Sequence, residues 1–424
     1  MRTPTKQNKN LITVFEHESV YTDRGEHKIS PQQFNALFNY SGNGVPYFSI
    51  IKNGIRFNQH VGVIQIGKLT IEVLPKADNN QQSELEEKRW RDILVGMLRA
   101  VNGFEIKSTS ESSLRIKPNT ILDLYIEIFI NEVEYLLHTG LVKQYRKKEG
   151  NLTSLKGNLL FGKHIQQNLI HREKFYTRHS KYDKEHKLHC ILYKTIHFLK
   201  KINTNPTLNS RIGSLLLNFP EMPQIKITEH IFDRMIITRK TQSYSKAVNI
   251  AKMLLLKYHP DLTGGRHDVL ALMFDMNLLW EKFVYMSLRK HKERSVTVKE
   301  QVRAYFWQNE NEVQTTFKAD IVIQVDKNRN IVLDTKWKNL NGKNPSPEDL
   351  RQMYAYHHYY SAEKTALVYP GSEPSKLKKS CFLEPQTRKE SSKKCGLIFL
   401  SVGTEIKQWQ KCIYHEIFTQ LIKC

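Results

Sequence analysis

The stretch 317–336 constrains the fold of this 424-residue chain more than any other. Phe317-Lys-Ala-Asp-Ile-Val-Ile-Gln-Val325 is rich in β-branched residues and reads as a strand. Asp326-Lys-Asn-Arg-Asn330 is a polar turn, and Ile331-Val-Leu-Asp-Thr-Lys336 is a second strand, so the two lie side by side. Side chains alternate faces along a strand. Asp334 and Lys336 therefore share a face, Thr335 points away, and Asp320 reaches the same edge from the first strand. Asp-x-Lys alone is a common tripeptide that suits any exposed strand. Here the apolar run Ile331-Val332-Leu333 precedes Asp334, a poor place for a solvated carboxylate, and burying one without a partner is costly. Lys336 or a metal ion would supply that partner.

Two carboxylates and an ammonium at one sheet edge suit phosphodiester hydrolysis. Asp320 and Asp334 would hold Mg²⁺, which prefers hard oxygen ligands. The ion polarises a phosphoryl group and acidifies bound water. Lys336 would orient that water or stabilise charge developing on the phosphate, and desolvation would lower its pKa.

The flanking elements add two candidates. A helix over 347–360, with Ser346 or Pro347 near its start, contains Gln352 and Tyr356 four residues apart and so on one face. Tyr356 is expected in the core with Tyr354 and Tyr360. For Gln352, core packing and contact with substrate or ligand carboxylates both stay open. A helix over 268–290 carries Glu281, either a further metal ligand or part of a solvated face paired with Lys282 or Arg289. Strands at 302–307, 364–369 and 397–402 and a helix over 405–422 complete a mixed α/β region.

Upstream, Leu11–Phe15, Tyr47–Ile51, Val61–Ile66 and Leu69–Leu74 read as strands. Asn53-Gly54 signals a hairpin turn, and Ile66-Gly67-Lys68-Leu69 a second. Residues 77–84 form a polar linker. From 85 to 260 the spacing is mostly helical, with helices through Trp90–Met97, Leu122–Leu137, 187–200 and 243–258. A basic stretch at 143–156 and a short β-like piece at 157–161 lie between them. The expected organisation is α+β and multidomain: a β-rich domain over 1–80, a mainly helical one over 81–265 and an α/β one over 266–424.

Lys plus Arg outnumber Asp plus Glu by 65 to 42, a net charge of +23. That surplus favours a polyanionic partner, because basic side chains on phosphates release condensed counterions. The lysine-rich stretches 143–156 and 372–394 are expected to touch phosphates. No apolar run has membrane-span length, and the polar N-terminus carries no secretory h-region. Five cysteines without C-x-x-C spacing argue against a zinc ribbon or disulfide framework. A cytoplasmic protein is expected. His179, His186 and His189 read as a basic helical face rather than a metal pair. No G-x-x-x-x-G-K-[ST] occurs, so the chain is not expected to be a P-loop NTPase; Ser41-Gly-Asn-Gly44 and Thr263-Gly-Gly265 read as turns.

Asp320, then Asp334-x-Lys336, then Gln352-x-x-x-Tyr356, in this order of elements, resembles the PD-(D/E)xK restriction-endonuclease-like fold, with Ala319 where that motif has proline. A longer set of segments resembles the McrC family of restriction subunits: Gly62-Val-Ile-Gln-Ile66, Glu72-Val-Leu-Pro-Lys76, His138-Thr-Gly-Leu141, Leu155-Lys-Gly-Asn-Leu159, Ile165-Gln-Gln-Asn168 and Leu272-Met-Phe-Asp-Met-Asn277. His189-Cys190 stands where the family often has asparagine and arginine. The resemblance implies a Mg²⁺- or Mn²⁺-dependent DNA endonuclease subunit, with Asp320, Asp334, Lys336 and Gln352 catalytic and Glu281 joining the metal ligands. It also implies a hexameric McrB-like AAA+ GTPase partner, docked through the N-terminal β-region, with GTP on that partner. The DNA would be double-stranded and include modified cytosine. A stand-alone RecB-like repair nuclease and a non-catalytic activating or DNA-binding subunit are the alternatives.

Overall fold

The computed structural model describes residues 10–42, 44–76, 84–102, 120–259, 269–308, 310, 314–326, 329–340, 342–371, 376–384 and 386–422. The chain forms two compact units, one of Met1–Leu114 with Asp261–Cys424, the other of Arg115–Pro260. The linker read at 77–84 lies almost wholly outside the described residues.

In the first unit the N-terminal strands run in the order Leu11–Phe15, Leu69–Leu74, His60–Ile66, Val269–Asp275. The outermost pair, Leu11–Phe15 with Leu69–Leu74, is parallel; the other neighbours are antiparallel. Every residue of His60–Ile66 and Leu69–Leu74 is buried, including the polar His60, Gln65, Thr70 and Glu72. The strand Val269–Asp275 corrects the expected 268–290 helix. Its buried run Val-Leu-Ala-Leu-Met pairs with His60–Ile66 from Val269↔Ile66 to Asp275↔His60, and the helix starts only at Met276. This pairing places the first and last stretches of sequence in one unit. Gly62 makes it possible: its φ is 141°, and a Cβ there would lie 2.1 Å from the Leu272 carbonyl oxygen.

A second small sheet, Ser19–Tyr21, Gly54–Phe57 and Phe48–Ile51, packs beside it. The Asn53-Gly54 signal marks the hairpin, but the two-residue loop is Lys52-Asn53, with Asn53 left-handed at φ 57° and Gly54 paired to Ile51. Gly67-Lys68 forms the second tight turn, with Ile66 paired to Leu69. The sequence reading missed the helix Pro31–Ser41. Its signal was present: Ser30 and Gln33 form a capping box, Pro31 opens the first turn, and Leu37 and Tyr40 enter the core.

The C-terminal sheet runs in the order Thr297–Gln308, Gln314–Gln324, Asn330–Thr335, Ala362–Gly371, Glu390–Ser401, Lys376–Leu383. The first three strands form an antiparallel meander, the next two join in parallel, and Lys376–Leu383 closes the edge antiparallel. Helix Pro347–Tyr359, capped by Ser346, buries Met353 and Tyr356 with Val322, Val332 and Leu367. Helices Met276–His291 and Ile406–Ile417 pack against each other, with Phe283 and Trp409 rings 4.6 Å apart. Part of the lysine-rich stretch 372–394 is thus sheet edge.

In the second unit, helices Ile121–Thr139, Lys187–Ile202, Pro206–Asn218 and Ser245–Leu256 pack together. The basic stretch beginning at 143 is a strand rather than a loop. Gln144–Leu152 pairs antiparallel with Phe175–Asp183, which also takes Asn158–Leu159. Arg146 bridges to Asp183 at 3.0 Å. Among the described residues no helix is long and apolar enough to cross a membrane.

Candidate active site

Three elements of the first unit converge on the Asp-x-Lys strand. Asp275 caps helix Met276–His291, accepting from the Asn277 amide at 2.8 Å. Asn277 Oδ1 then accepts from the backbone N–H of Trp337 at 3.0 Å, immediately after Lys336. From the N-terminal sheet, Glu16 Oε1 accepts from Trp337 Nε1 at 2.9 Å and from the Lys76 amide at 2.8 Å. Burial pushes the Glu16 carboxyl up to about 7. The strand end is also held from its parallel neighbour, Lys336 N–H donating to Val368 O at 3.0 Å.

Asp334 is 1% exposed. Its Oδ2 lies 2.7 Å from Lys336 Nζ, so the two side chains share a face as the alternation predicts. The contact is an ion pair between a buried carboxylate and a half-buried ammonium. Asp320 faces the same point from the neighbouring strand, one step beyond the Ile321↔Leu333 pair. Its Oδ2 accepts from Thr335 N–H at 2.8 Å and Thr335 Oγ1 at 3.1 Å. Thr335 points away from Lys336, but it is not idle: it holds the first aspartate.

The electrostatics follow from that crowding. Burial, then the charge of Asp320, push Asp334 up to about 7 against the pull of Lys336. Burial also raises Asp320, opposed by the Thr335 amide and Lys336. Lys336 corrects the expected lowered pKa. Burial does pull it down, but Asp334, Asp320 and Asp349 together outweigh burial and hold the ammonium charged. Asp349, on helix Pro347–Tyr359, reaches Lys336 at 3.9 Å and pairs with Lys338 at 2.7 Å. The sequence reading had assigned it nothing.

Glu281 is 9% exposed, so it is not part of a solvated face. It sits one turn after Asn277, and its Oε1 accepts from Gln301 Nε2 at 2.6 Å. Burial raises its carboxyl, with Asp320 adding to the rise. A cavity of about 690 Å³ opens on this side, lined by Glu281, Gln301 and Lys282 among others, but not by Asp334. Gln352 shares a face with Tyr356, but its amide donates to the Tyr356 hydroxyl. That hydroxyl in turn donates to Lys318 O at 2.9 Å. Tyr356 is fully buried, as expected.

Gln301 was missed. It lies across from Asp320 between the pairs Glu300↔Ile321 and Val302↔Ala319, in the left-handed region at φ 52°. The hairpin exchanges faces there. Below it, Val298 and Ile323 lie with Leu288 and Tyr414, and Glu300 pairs with Lys282. Above it, Val302, Ala304, Phe317 and Ala319 pack toward Tyr356 and Tyr360. No residue in the local sequence marks this exchange.

The histidine pair is structural. His186 Nε2 meets Val142 O at 3.1 Å, while His189 contacts Lys184 O and the Tyr244 hydroxyl. Burial lowers His189 to about 4, so it forms no charged face. Among the described residues, no group of three or more His, Cys, Asp or Glu could hold a metal ion. The Asp320/Asp334 pair fits a divalent cation of another type, one that takes one or two carboxylates and completes its shell with water and phosphate oxygens. The two carboxylates face each other across neighbouring strands and Asp320 raises Asp334, a repulsion that such a cation would relieve.

A family model described as the McrBC 5-methylcytosine restriction system component matches residues 55–370. The chain belongs to that family. This bears out the McrC resemblance of its motifs. Among solved structures, the chain is similar to one from a "refined half-complex from tetradecameric assembly of Thermococcus gammatolerans McrB AAA+ hexamers with bound McrC". The TM-score is 0.71 at 18% identity, over 96% of this chain and 99% of the other. A second likeness is to a chain of the Thermococcus gammatolerans McrBC complex, with TM-score 0.50 and 18% identity over 67% and 89% of the two chains. At such identity these likenesses speak for a shared fold. No curated protein matches the chain.

Proposed function

We propose that this chain is the Mg²⁺-dependent DNA endonuclease subunit of a McrBC-type restriction system, with a C-terminal domain of PD-(D/E)xK type. The observation that carries the reading is the pair Asp320 and buried Asp334, whose charges repel, with Lys336 2.7 Å from Asp334. Mg²⁺, or Mn²⁺ in its place, would polarise the scissile phosphate and acidify water. Asp320 and Asp334 would hold the ion. Thr335 fixes Asp320 through two hydrogen bonds. Lys336, kept charged by three carboxylates, acts as an electrostatic partner of the developing negative charge rather than as a base. Glu281 adds a carboxylate on the Asp320 side, and Gln352 supports the site through Tyr356.

The partner would be a hexameric McrB-like AAA+ protein, as the assembly containing the similar structure suggests; GTP hydrolysis on that partner and docking through the N-terminal β-region are what the motif resemblance implies. This chain lacks a P-loop signature and would stimulate that hydrolysis, not perform it. Its DNA would be double-stranded and carry modified cytosine, in a cytoplasmic setting.

The test is cleavage of long methylated and unmethylated DNA with Mg²⁺, with and without the AAA+ partner and nucleotide. Cutting by wild type that needs the partner, and its loss in Asp334→Asn, are expected. An Asp334→Asn protein that still cuts would refute the site.

A further inference from the structure

Beyond the exchange of faces at Gln301, the hairpin Thr297–Gln308/Gln314–Gln324 has one covered and one free side. Val302, Ala304, Phe317 and Ala319 pack toward helix Pro347–Tyr359. The opposite side carries the cross-strand pairs Arg303↔Lys318 and Tyr305↔Thr316. Cross-strand partners share a face, so these residues form one stripe. Tyr305 is 69% exposed, and Arg303 and Lys318 are exposed too. Neither basic residue is in an ion pair among the described residues. Lys318 lies near enough to Asp320 and Glu281 for its charge to lower both their pKa values. The stripe therefore starts beside the carboxylates and runs outward from them. Tyr305 pairs four residues from Asp320 along the strand, a distance of roughly 13 Å at the usual strand rise.

An exposed aromatic in line with two basic side chains that form no ion pair among the described residues matches a partner that alternates phosphates with flat rings. Lysine and arginine neutralise phosphates, and a tyrosine face stacks on a base.

We propose that this face of the hairpin is the DNA-guiding surface of the site, with Arg303 and Lys318 on phosphates beside the scissile bond and Tyr305 against a base further along. The identity of the occupant rests on the nuclease reading; the position of the surface rests on the hairpin alone.

The experiment measures binding of a short fluorescein-labelled DNA duplex by the full chain carrying Asp334→Asn, so that no cutting intervenes. Tyr305→Ala is expected to weaken binding about tenfold, given the usual cost of losing one stacked base. Arg303→Ser with Lys318→Ser is expected to reduce the slope of log affinity against log salt by about 2, two phosphate contacts at roughly 0.9 each. Unchanged melting temperatures establish that both proteins fold. Binding equal to the parent in both variants overturns the proposal. So does conversion of a parent dimer to monomer by Tyr305→Ala with DNA affinity unchanged, which assigns the face to a second copy of the chain. Because binding is read without cleavage, weakened binding supports the surface even where the wild type proves unable to cut.

Discussion

Asp334 is poised so that removing its charge should stabilise the metal-free protein while abolishing activity. The carboxyl is 1% exposed and pushed up to about 7 from an ordinary 3.8, by burial first and Asp320 second. A shift of about 3 units corresponds to about 4 kcal/mol at 1.36 kcal/mol per unit. That shift already nets the repulsion against the attraction of Lys336. An amide in the same place must still satisfy its own N–H groups, so roughly half should survive, about 2 kcal/mol. The raised pKa fixes the sign. The favourable contribution of the carboxyl is complete below pH 3.8, where it is protonated folded or unfolded, and is lost as pH rises through about 7. Asp334→Asn should therefore be about 2 kcal/mol less stable than the wild type near pH 4, overtake it between pH 4 and 7, and hold an advantage of about 2 kcal/mol above. For a unit of this size it should melt roughly 4–8 °C higher at pH 8 in EDTA. Added Mg²⁺ should raise the melting temperature of the wild type, since a ligand of the native state stabilises it, and leave the variant unmoved. Thermal melts at several pH values with EDTA or Mg²⁺ read all of this. A variant that melts below the wild type at pH 8 without metal would refute the claim that the carboxylate pair is strained.

Gln301 should separate backbone strain from side-chain function. Gln301→Gly relieves a left-handed conformation worth roughly 1–2 kcal/mol but removes a bond to a carboxylate worth about the same, so stability should change little. Gln301→Ala keeps the strain, loses the bond, and should be the less stable by about 1–2 kcal/mol; urea unfolding giving the reverse order would contradict the assignment. In both variants the Mg²⁺ concentration for half-maximal cleavage should rise severalfold, as Glu281 loses its support. Gly62→Ala should cost about 3 kcal/mol or more, because the new Cβ meets a backbone oxygen inside a central strand pair at φ 141°. Urea midpoints within error of wild type would show that the two strands can part at little cost.

The parts of this protein written in short-range pattern were legible in its sequence. Asp334 and Lys336 share a face because a strand alternates, and an apolar run before Asp334 announces its burial. The helix behind them follows from Ser346-Pro347 and its buried Met353 and Tyr356. Val269–Asp275 was misread because Val-Leu-Ala-Leu-Met-Phe fits a buried strand and a buried helix equally, and its partner lies some 200 residues away in sequence at His60–Ile66. The Gln144–Leu152 strand was obscured by charge, since six of its nine residues are polar or charged on a sheet largely open to water.

The site depends most on a feature that no local signal carries. Continued alternation from Ile323 and Ile321 would place Ala319 and Phe317 on the side of helix Met276–His291. Instead they pack toward Tyr356 and Tyr360, and Val302 and Ala304 cross over with them. Tyr360 enforces this, its hydroxyl donating to Val302 O and accepting from Ala319 N–H. The reversal falls on Gln301 and Asp320, one in each strand. At that point a side chain belongs to neither face, which is how Asp320 can be bonded to Thr335 on one side while its charge is felt by Glu281 on the other. An unkinked hairpin would commit Asp320 to a single face and part it from either Glu281 or Asp334. The left-handed backbone of Gln301 is thus the conformational cost of bringing three carboxylates from three elements into one electrostatic group.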